Sequence, residues 1–216
     1  MKDKKSRRSC GLYFVRLFQT CRALLVPGLI MIFTLYGFSA AALNTEDENV
    51  KFSQYNVKFG EYKVKAAYLY NFAKFVEWPA EVLADPSLPL NVCVYGKDPF
   101  GSALDAIKDK TAKGRKLVVK RYSAIEDVKE CHILFISQSE RQYLSTLLEK
   151  IKDKHILTVS DIEDFAHAGG MIHLRKEDGK IRLEINVDAA NNTGLTLSSK
   201  LLKISKIIKK YDQAKQ

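Results

Sequence analysis

The stretch NVCVYGKDPFG, Asn91 to Gly101, combines a short apolar segment with the residues of a turn and a helix start. The apolar part predicts a strand that carries Cys93, and Gly96 allows a tight turn after it. Asp98-Pro99 then favours a helix start, with Asp as N-cap and Pro at the first helical position. We therefore predict a helix to about Lys110. The alternative is a phosphate-binding loop, but the Gly-Lys-Ser/Thr ending of such loops is missing.

Strand and helix patterns alternate downstream of this unit. KLVVKRY (Lys116 to Tyr122), CHILFIS (Cys131 to Ser137) and HILTVSD (His155 to Asp161) predict strands, and a helix is expected from about Ser139 to Lys152. CHILFIS is a continuous apolar run, which is typical of a strand buried on both faces. This alternation predicts an α/β fold with a mainly parallel central sheet and helices on both faces.

The pattern changes in MIHLRKEDGKIRLEINV (Met171 to Val187), where Asp178-Gly179 is a strong hairpin signal. With these two residues as the loop, Leu174 faces Leu183 and the apolar pattern agrees with the turn. From about Ser198 to Lys210, apolar residues follow a four-three spacing and lysines crowd the other side. The fold therefore ends with an antiparallel hairpin followed by a helix.

The segment EYKVKAAYLYNFAKFVEWP (Glu61 to Pro79) predicts a mostly apolar helix that Pro79 ends. The polar residues 43–60 before it have no clear period, and we expect an extended lead-in. Residues 61–216 are long enough for a single domain with a real core.

The N-terminus has the three parts of a secretory signal. MKDKKSRR is basic, Ala23 to Ala42 carries no charge, and Ser39 to Ala42 are small residues suited to cleavage. We therefore predict a signal peptide over residues 1–42. The alternative is an uncleaved inner-membrane anchor, because the uncharged run is long enough to span a bilayer. A cleaved signal peptide and an uncleaved anchor both place the remaining chain outside the cytoplasm, and we expect it in the periplasm.

The basic character of the chain lies mainly in that segment. Residues 1–42 contain seven of the 35 Lys and Arg residues and one of the 25 acidic residues, so the formal charge falls from +10 to +4 without them. A charge this small excludes a nucleic-acid footprint.

Cys93 and Cys131 are the cysteines that remain beyond residue 42. In an oxidising compartment an even pair is most simply a disulfide, whereas a reactive thiol at Cys93 is the alternative.

No catalytic motif was found in the sequence. G-x-S-x-G, H-E-x-x-H and a Cys-His arrangement with an orienting partner are all missing. We therefore expect a protein that is not an enzyme and needs no cofactor. No structural metal is predicted, because the histidines lack zinc-site spacing. The four histidines are His132, His155, His167 and His173. Asp161, Glu163 and Asp164 lie close together in the sequence, and the capping of a helix start explains these three acids best.

Aromatic and basic residues are the candidates for a contact surface. Tyr70 and Trp78 lie on the apolar helix, where aromatic residues belong either to the core or to a dimer contact. Lys203 and Lys206 lie on the basic face of the predicted last helix, which suits either solvent or an acidic partner.

Taken together, the motifs resemble those of the YfiR family of small periplasmic proteins. The resemblance covers nearly all of the chain after the predicted signal, in order. The motifs that carry it are VKAAYLYNFAKFVEWP (Val64 to Pro79), NVCVYGKDPFG, CHILFIS, ILTVSDIEDFAHAGGMIHL (Ile156 to Leu174) and RLEINVDAANNTGLTLSSKLL (Arg182 to Leu202).

This resemblance implies an exported α/β domain without enzymatic activity, often dimeric. It implies a partner as well: the periplasmic region of a membrane-bound diguanylate cyclase, which such proteins hold inactive until an outer-membrane lipoprotein or envelope stress releases it. Release raises cyclic di-GMP and favours biofilm formation. The rival hypothesis is a periplasmic small-ligand binding module with its pocket at the carboxyl ends of the parallel strands.

The resemblance also assigns roles to single residues. Cys93 and Cys131 match a family disulfide, Gly169-Gly170 match the turn before the hairpin, and Asn186 matches the polar residue of the E-I-N strand.

Overall fold

A computed structural model describes residues 45–209, and the predicted signal over residues 1–42 lies outside the described residues. Short strands and helices alternate along the described chain, as the sequence pattern predicts. The strands are β1 (Val76–Glu77), β2 (Leu90–Tyr95), β3 (Thr111–Ala112), β4 (Arg115–Tyr122), β5 (Ile133–Ile136), β6 (Leu157–Ser160), β7 (Ile172–Glu177), β8 (Lys180–Asn186), β9 (Thr196–Leu197) and β10 (Ser205–Ile208). The α-helices are α1 (Thr45–Phe75), α2 (Leu144–Ile151), α3 (Val187–Asn192) and α4 (Ser199–Leu202). Short 3-10 helices cover Gly101–Ala106, Ile125–Asp127 and Gln138–Tyr143.

Eight strands form one sheet in the order β10-β8-β7-β6-β5-β2-β4-β3, while β1 and β9 form a separate antiparallel pair. Within the eight-stranded sheet, β3 pairs antiparallel with β4 and β7 with β8, and the other neighbours are parallel. The predicted α/β fold with a mainly parallel sheet is confirmed. The predicted hairpin register is also confirmed, because Leu174 lies opposite Leu183.

Alternate residues of the central strands enter two separate cores, as the two-residue period of a strand requires. In β2, Val92 and Val94 pack on the face covered by α1, and Cys93 and Tyr95 pack on the face covered by α2. The sheet is therefore buried on both faces, which explains why its strands are nearly continuous apolar runs.

The prediction of an extended lead-in was wrong, because α1 already begins at Thr45. The segment contains no proline, and Phe52, Tyr55 and Phe59 precede the buried Tyr62 at a three-four spacing. In the sequence, the helical spacing of large apolar residues therefore continues further toward the N-terminus than the polar composition indicates. The helix ends at Phe75, four residues before the predicted stop at Pro79.

The long last helix was also predicted wrongly. The chain forms only the short α4, and Ser205–Ile208 become β10, which pairs in parallel with β8. Ile204, Ile207 and Ile208 are β-branched and favour a strand. Pairing also satisfies backbone groups at the edge of β8 that would otherwise stay open.

Two helix starts proved to be turns. Asp98 Oδ1 accepts the main-chain N–H of Phe100 at 2.7 Å, as a turn residue does, and only a 3-10 helix follows. After β6, residues 161–170 form a bend and turns, so the acids there do not cap a helix.

Gly96→Ala should lower the free energy of unfolding by about 1–2 kcal/mol, because Gly96 has φ of 87°, a left-handed conformation that costs an L-residue this much. A Cβ there would also lie 2.6 Å from Ser139 Oγ. Urea unfolding measures the loss. The matched control is Gly114→Ala, where φ is 75° but nothing lies within 4 Å of the added Cβ. A Gly96 loss smaller than the Gly114 loss would contradict the contact with Ser139.

Candidate functional site

A disulfide joins Cys93 of β2 to Cys131, two residues before β5. Their Cα atoms lie 6.1 Å apart, within the usual range for a bridge. Cys93 is fully buried and Cys131 is 7% exposed. The predicted pairing is confirmed, and the alternative of a reactive thiol at Cys93 is wrong for the oxidised chain. The bridge is part of the core on the α2 face.

Trp78 does not lie on a contact surface. It is 7% exposed and packs in the core on the α1 face, with its ring nearly perpendicular to that of His132 at a centroid distance of 6.1 Å. The structure therefore corrects its assignment to a partner or dimer surface. Trp78 directly follows β1, which pairs with β9.

The other three surface candidates do not lie together. Tyr70 is half-buried, and its hydroxyl donates to the carbonyl oxygen of Thr111 in β3 at 3.2 Å. Lys206 lies in β10, with its Nζ 3.3 Å from Glu184 Oε1. Lys203 is exposed in the short connection before β10. Because β3 and β10 are the opposite edges of the sheet, Tyr70 cannot share one surface with the two lysines.

A buried ionic cluster links α1 to the end of β6. Lys65 is 2% exposed, and its Nζ lies 2.5 Å from both Glu61 Oε1 and Asp161 Oδ2. The Tyr62 hydroxyl donates to Asp161 Oδ2 at 2.8 Å. Burial, and then the negative charge of Asp161, raise the pKa of Tyr62, so it remains a donor. Asp161 Oδ1 has no hydrogen-bond partner among the described residues.

This cluster was missed in the sequence, where Asp161 was assigned to helix capping. The two charged partners are 96 residues apart, and no local pattern connects them. One signal was present: Lys65 lies between Val64 and Ala66, outside the polar stripe of its helix. A lysine on an apolar helix face needs a buried partner.

A second buried pair lies in the hairpin. His173 Nδ1 is 3.0 Å from Glu184 Oε2, and both side chains are almost fully buried. Arg175 Nε and Lys206 Nζ lie 3.4 Å and 3.3 Å from Glu184 Oε1. Burial raises the pKa of Glu184, but the hydrogen bonds from His173 and Lys206 outweigh it, and the pKa lies below its ordinary value.

The lowered pKa of Glu184 should make the protein less stable in acid. A carboxylate with a depressed folded pKa contributes stability above its unfolded pKa and loses it as the pH falls through the folded pKa. Glu184→Gln should therefore flatten the loss of stability below pH 4.5, the ordinary value. Urea unfolding at several pH values measures this. The matched control is Glu149→Gln, an exposed carboxylate on α2. A pH profile of Glu184→Gln that parallels the wild type would contradict the prediction.

Two clefts lie at opposite ends of the parallel strands. The carboxyl-end crevice, about 640 Å³, lies beside the turns that follow β2 and β5, and its lining includes Lys58, Tyr62, Lys97, Phe100 and Gln138. The amino-end cleft, about 450 Å³, lies where β2, β5 and β6 begin, and its lining includes Leu83, Leu88, Asn91, Lys129, His132 and Ile156. Both volumes are in the range of small-molecule sites.

Two further observations concern the described part of the chain. Within residues 45–209, no three His, Cys, Asp or Glu side chains are grouped so that they would hold a metal ion. No helix in this range has the length and apolar character needed to cross a bilayer.

In a comparison with protein families, the model of a family described as YfiR/HmsC-like matches residues 62–206. A comparison with curated proteins gives no match. The matched range begins at Tyr62 in the buried cluster of α1 and ends at Lys206 in β10, so it includes nearly all of the described sheet domain.

Proposed function

The chain belongs to the YfiR/HmsC-like family, and we propose that it is a periplasmic regulatory binding protein that holds a membrane-bound diguanylate cyclase inactive. The observation that carries this proposal is the family match, which covers two thirds of the chain. The family is one of periplasmic regulators rather than enzymes. The contact would be with the periplasmic region of the cyclase.

The disulfide supports the periplasmic location. Bridges of this kind persist in oxidising compartments and are rare in the reducing cytosol. Cys93 and Cys131 are both buried in the core, as expected of a structural bridge. The predicted signal over residues 1–42 would direct the export, either cleaved or retained as an inner-membrane anchor.

The mechanism would be a population shift. Binding stabilises the inactive arrangement of the cyclase, and an outer-membrane lipoprotein that competes for the regulator allows the active arrangement to return. The regulator must bind the inactive arrangement more tightly than the active one, because equal affinity shifts nothing. We also propose that it acts as a homodimer, as the family resemblance implies.

Two separate surfaces are candidates for these contacts. The β10 edge carries Lys206 on the outer strand and Lys203 in the connection just before it, and such charged residues suit an acidic partner. At the β3 edge, Tyr70 of α1 bonds to Thr111, and its ring lies near the ammonium groups of Lys74 and Lys110. Because these edges are opposite, one is available for the cyclase while the other serves a second copy of the chain or the lipoprotein.

Deletion of the gene tests the proposal. We expect cellular cyclic di-GMP and biofilm mass to rise, and a wild-type copy to restore both. A copy with Lys203→Glu should restore them less well if the β10 edge contacts the cyclase, whereas the control Lys180→Glu at the exposed start of β8 should behave as wild type. Unchanged cyclic di-GMP after deletion would refute the proposal.

The carboxyl-end crevice favours a second candidate function, a small-ligand binding module without a cyclase partner. Parallel α/β sheets bind ligands outside the carboxyl ends of their strands, where the strand order reverses. The order β4-β2-β5 contains such a reversal, because the chain goes from β2 to β4 on one side and returns to β5 on the other. A metabolite that co-purifies with the protein, together with unchanged cyclic di-GMP in the deletion strain, would support this candidate.

A further inference from the structure

The outward face of α1 carries an apolar stripe that the described part of the chain leaves uncovered. Val57 and Val64 are 61% and 47% exposed, and Gly60 and Ala67 beside them are also exposed. The outer face of a helix that packs on a sheet normally carries charged and polar side chains. Neighbouring exposed positions without a polar group therefore indicate a contact with another molecule.

Gly60 is a second sign of that contact. It lies inside α1, and glycine is the least favourable residue in a helix interior after proline. A Cβ added there would meet no other part of the described chain within 4 Å, so packing inside this molecule does not explain the glycine. The distance between two packed helices depends on the side chains at their contact, and a glycine lets a second helix approach closely.

The stripe has the seven-residue repeat of a helix-pairing seam. Over residues 50–67, a valine recurs every seven positions, and a small residue follows each valine by three. The valines are Val50, Val57 and Val64, and the small residues are Ser53, Gly60 and Ala67. This is the spacing of positions a and d in a heptad, and all six positions lie within α1.

The repeat is complementary to itself when two copies of α1 run antiparallel. The a positions of one helix then face the d positions of the other, so each valine faces a small residue. The facing positions are 57 with 60, 64 with 53, and 50 with 67 of the second copy. In a parallel pair valine would face valine and glycine would face glycine, which requires a different helix separation at successive layers. A two-fold axis midway between positions 57 and 60 produces the antiparallel match, and homodimers use such two-fold contacts most often.

A groove of about 600 Å³ runs beside the stripe, between α1 and the β7-β8 hairpin. Two contacts show that helix and hairpin face each other there. Lys176 Nζ lies 2.8 Å from Glu61 Oε2, and the Tyr68 hydroxyl donates to the carbonyl oxygen of Ile181 at 3.4 Å. The groove is therefore bounded by the domain itself on both sides.

The charges along this groove also agree with a second copy. Its hairpin side is basic, with Lys176, Lys180 and Arg182 in the lining. The first turn of α1 is acidic, with Glu-Asp-Glu at residues 46–48. The two-fold axis brings position 47 of one copy level with position 70 of the other, within about one helical turn of Tyr68. The acidic turn of each copy thus approaches the basic groove of the other, and opposite charges favour this docking.

We propose that α1 is the homodimer contact, with two copies paired antiparallel through residues 50–67 and the acidic first turn of each copy against the basic groove of the other. This inference rests on the homodimer of the proposed function and names its surface. The second copy then occupies neither edge of the sheet, and both edges stay open for the cyclase and the lipoprotein.

Analytical ultracentrifugation of the purified protein over a range of concentrations tests the contact. We expect a reversible monomer–dimer equilibrium, which Val64→Glu should weaken by roughly tenfold or more, because an unpaired charge enters the seam. Gly60→Leu should weaken it as strongly, since the leucine holds the helices apart. The same variant should raise the urea midpoint of the dilute monomer, because leucine is the better helix former. The control Lys58→Leu, exposed on α1 outside the stripe, should leave the dimer unchanged.

Engineered cysteines separate antiparallel from parallel pairing. Ser53→Cys and Val64→Cys proteins, oxidised as a mixture, should form a cross-linked heterodimer, while each alone should stay uncross-linked. The two positions 64 of an antiparallel dimer lie about 16 Å apart along the axis, at roughly 1.5 Å per residue. This is too far for a disulfide, which needs Cα atoms within about 7 Å.

Each other outcome decides against a stated part of the inference. A dimer that Val64→Glu and Gly60→Leu leave intact would overturn the α1 contact, although the homodimer itself would stand. Cross-linking of Val64→Cys with itself would overturn the antiparallel arrangement. A wild type that stays monomeric up to millimolar concentration would overturn both the contact and the homodimer. The cyclase role is decided separately, by cyclic di-GMP in the deletion strain.

Discussion

Lys65→Met should lower the free energy of unfolding by about 3–5 kcal/mol, the largest effect expected of a single substitution in this chain. Methionine retains the length of the side chain but removes its charge, so Glu61 and Asp161 lose the ammonium group that lies 2.5 Å from each. Asp161 is 6% exposed at its side chain, and water cannot replace the lost partner. Urea unfolding monitored by circular dichroism measures the loss.

Two further variants separate the charge effect from a packing effect. Lys65→Met combined with Asp161→Asn should be less destabilised than the single variant, because the stranded negative charge is removed with its partner. Lys58→Met is the control on the same helix, where the lysine is exposed, and its effect should stay within about 0.5 kcal/mol. If the double variant were as unstable as the sum of the two single ones, the charge account would be wrong.

Loss of the disulfide should lower stability by about 3–4 kcal/mol and the melting temperature by on the order of 10 °C. The bridge closes a loop with a sequence separation of 38, and its main effect is to reduce the conformational freedom of the unfolded chain. Thermal unfolding of the Cys93→Ala, Cys131→Ala double variant and of the reduced wild type should give similar shifts.

The double variant supplies its own control for the reductant. Adding dithiothreitol should destabilise the wild type and leave the double variant unchanged, because no bridge remains to be reduced. A wild type whose melting temperature does not respond to full reduction, with both thiols alkylated, would show that the bridge contributes no stability.

The sheet and the hairpin could be predicted because their signals are local. CHILFIS is apolar throughout as a strand buried on both faces must be, and Asp178-Gly179 fixes the hairpin register on its own. The disulfide could be predicted because the predicted export signal and an even number of cysteines together imply it. Each of these inferences needs only neighbouring residues or the compartment.

The rest depends on contacts between distant parts of the chain. The spacing of Leu201, Ile204 and Ile208 fits a helix, and β10 forms only because β8 offers an open edge that the sequence does not reveal. The cluster around Lys65 has the same origin, since Asp161 reaches α1 only after the sheet has formed.

The bridge between Cys93 and Cys131 also changes how the protein responds to mechanical force. It makes the chain between these residues, with β3 and β4 inside it, a closed covalent ring. When the two termini are pulled, the force passes through the disulfide, and the residues between Cys93 and Cys131 do not extend. The oxidised chain is therefore about 130 Å shorter at full extension than the reduced chain, at roughly 3.4 Å for each of these residues. Single-molecule stretching with and without reductant would measure that hidden length. The residues between Cys93 and Cys131 would therefore not unravel fully under force for as long as the bridge stays oxidised.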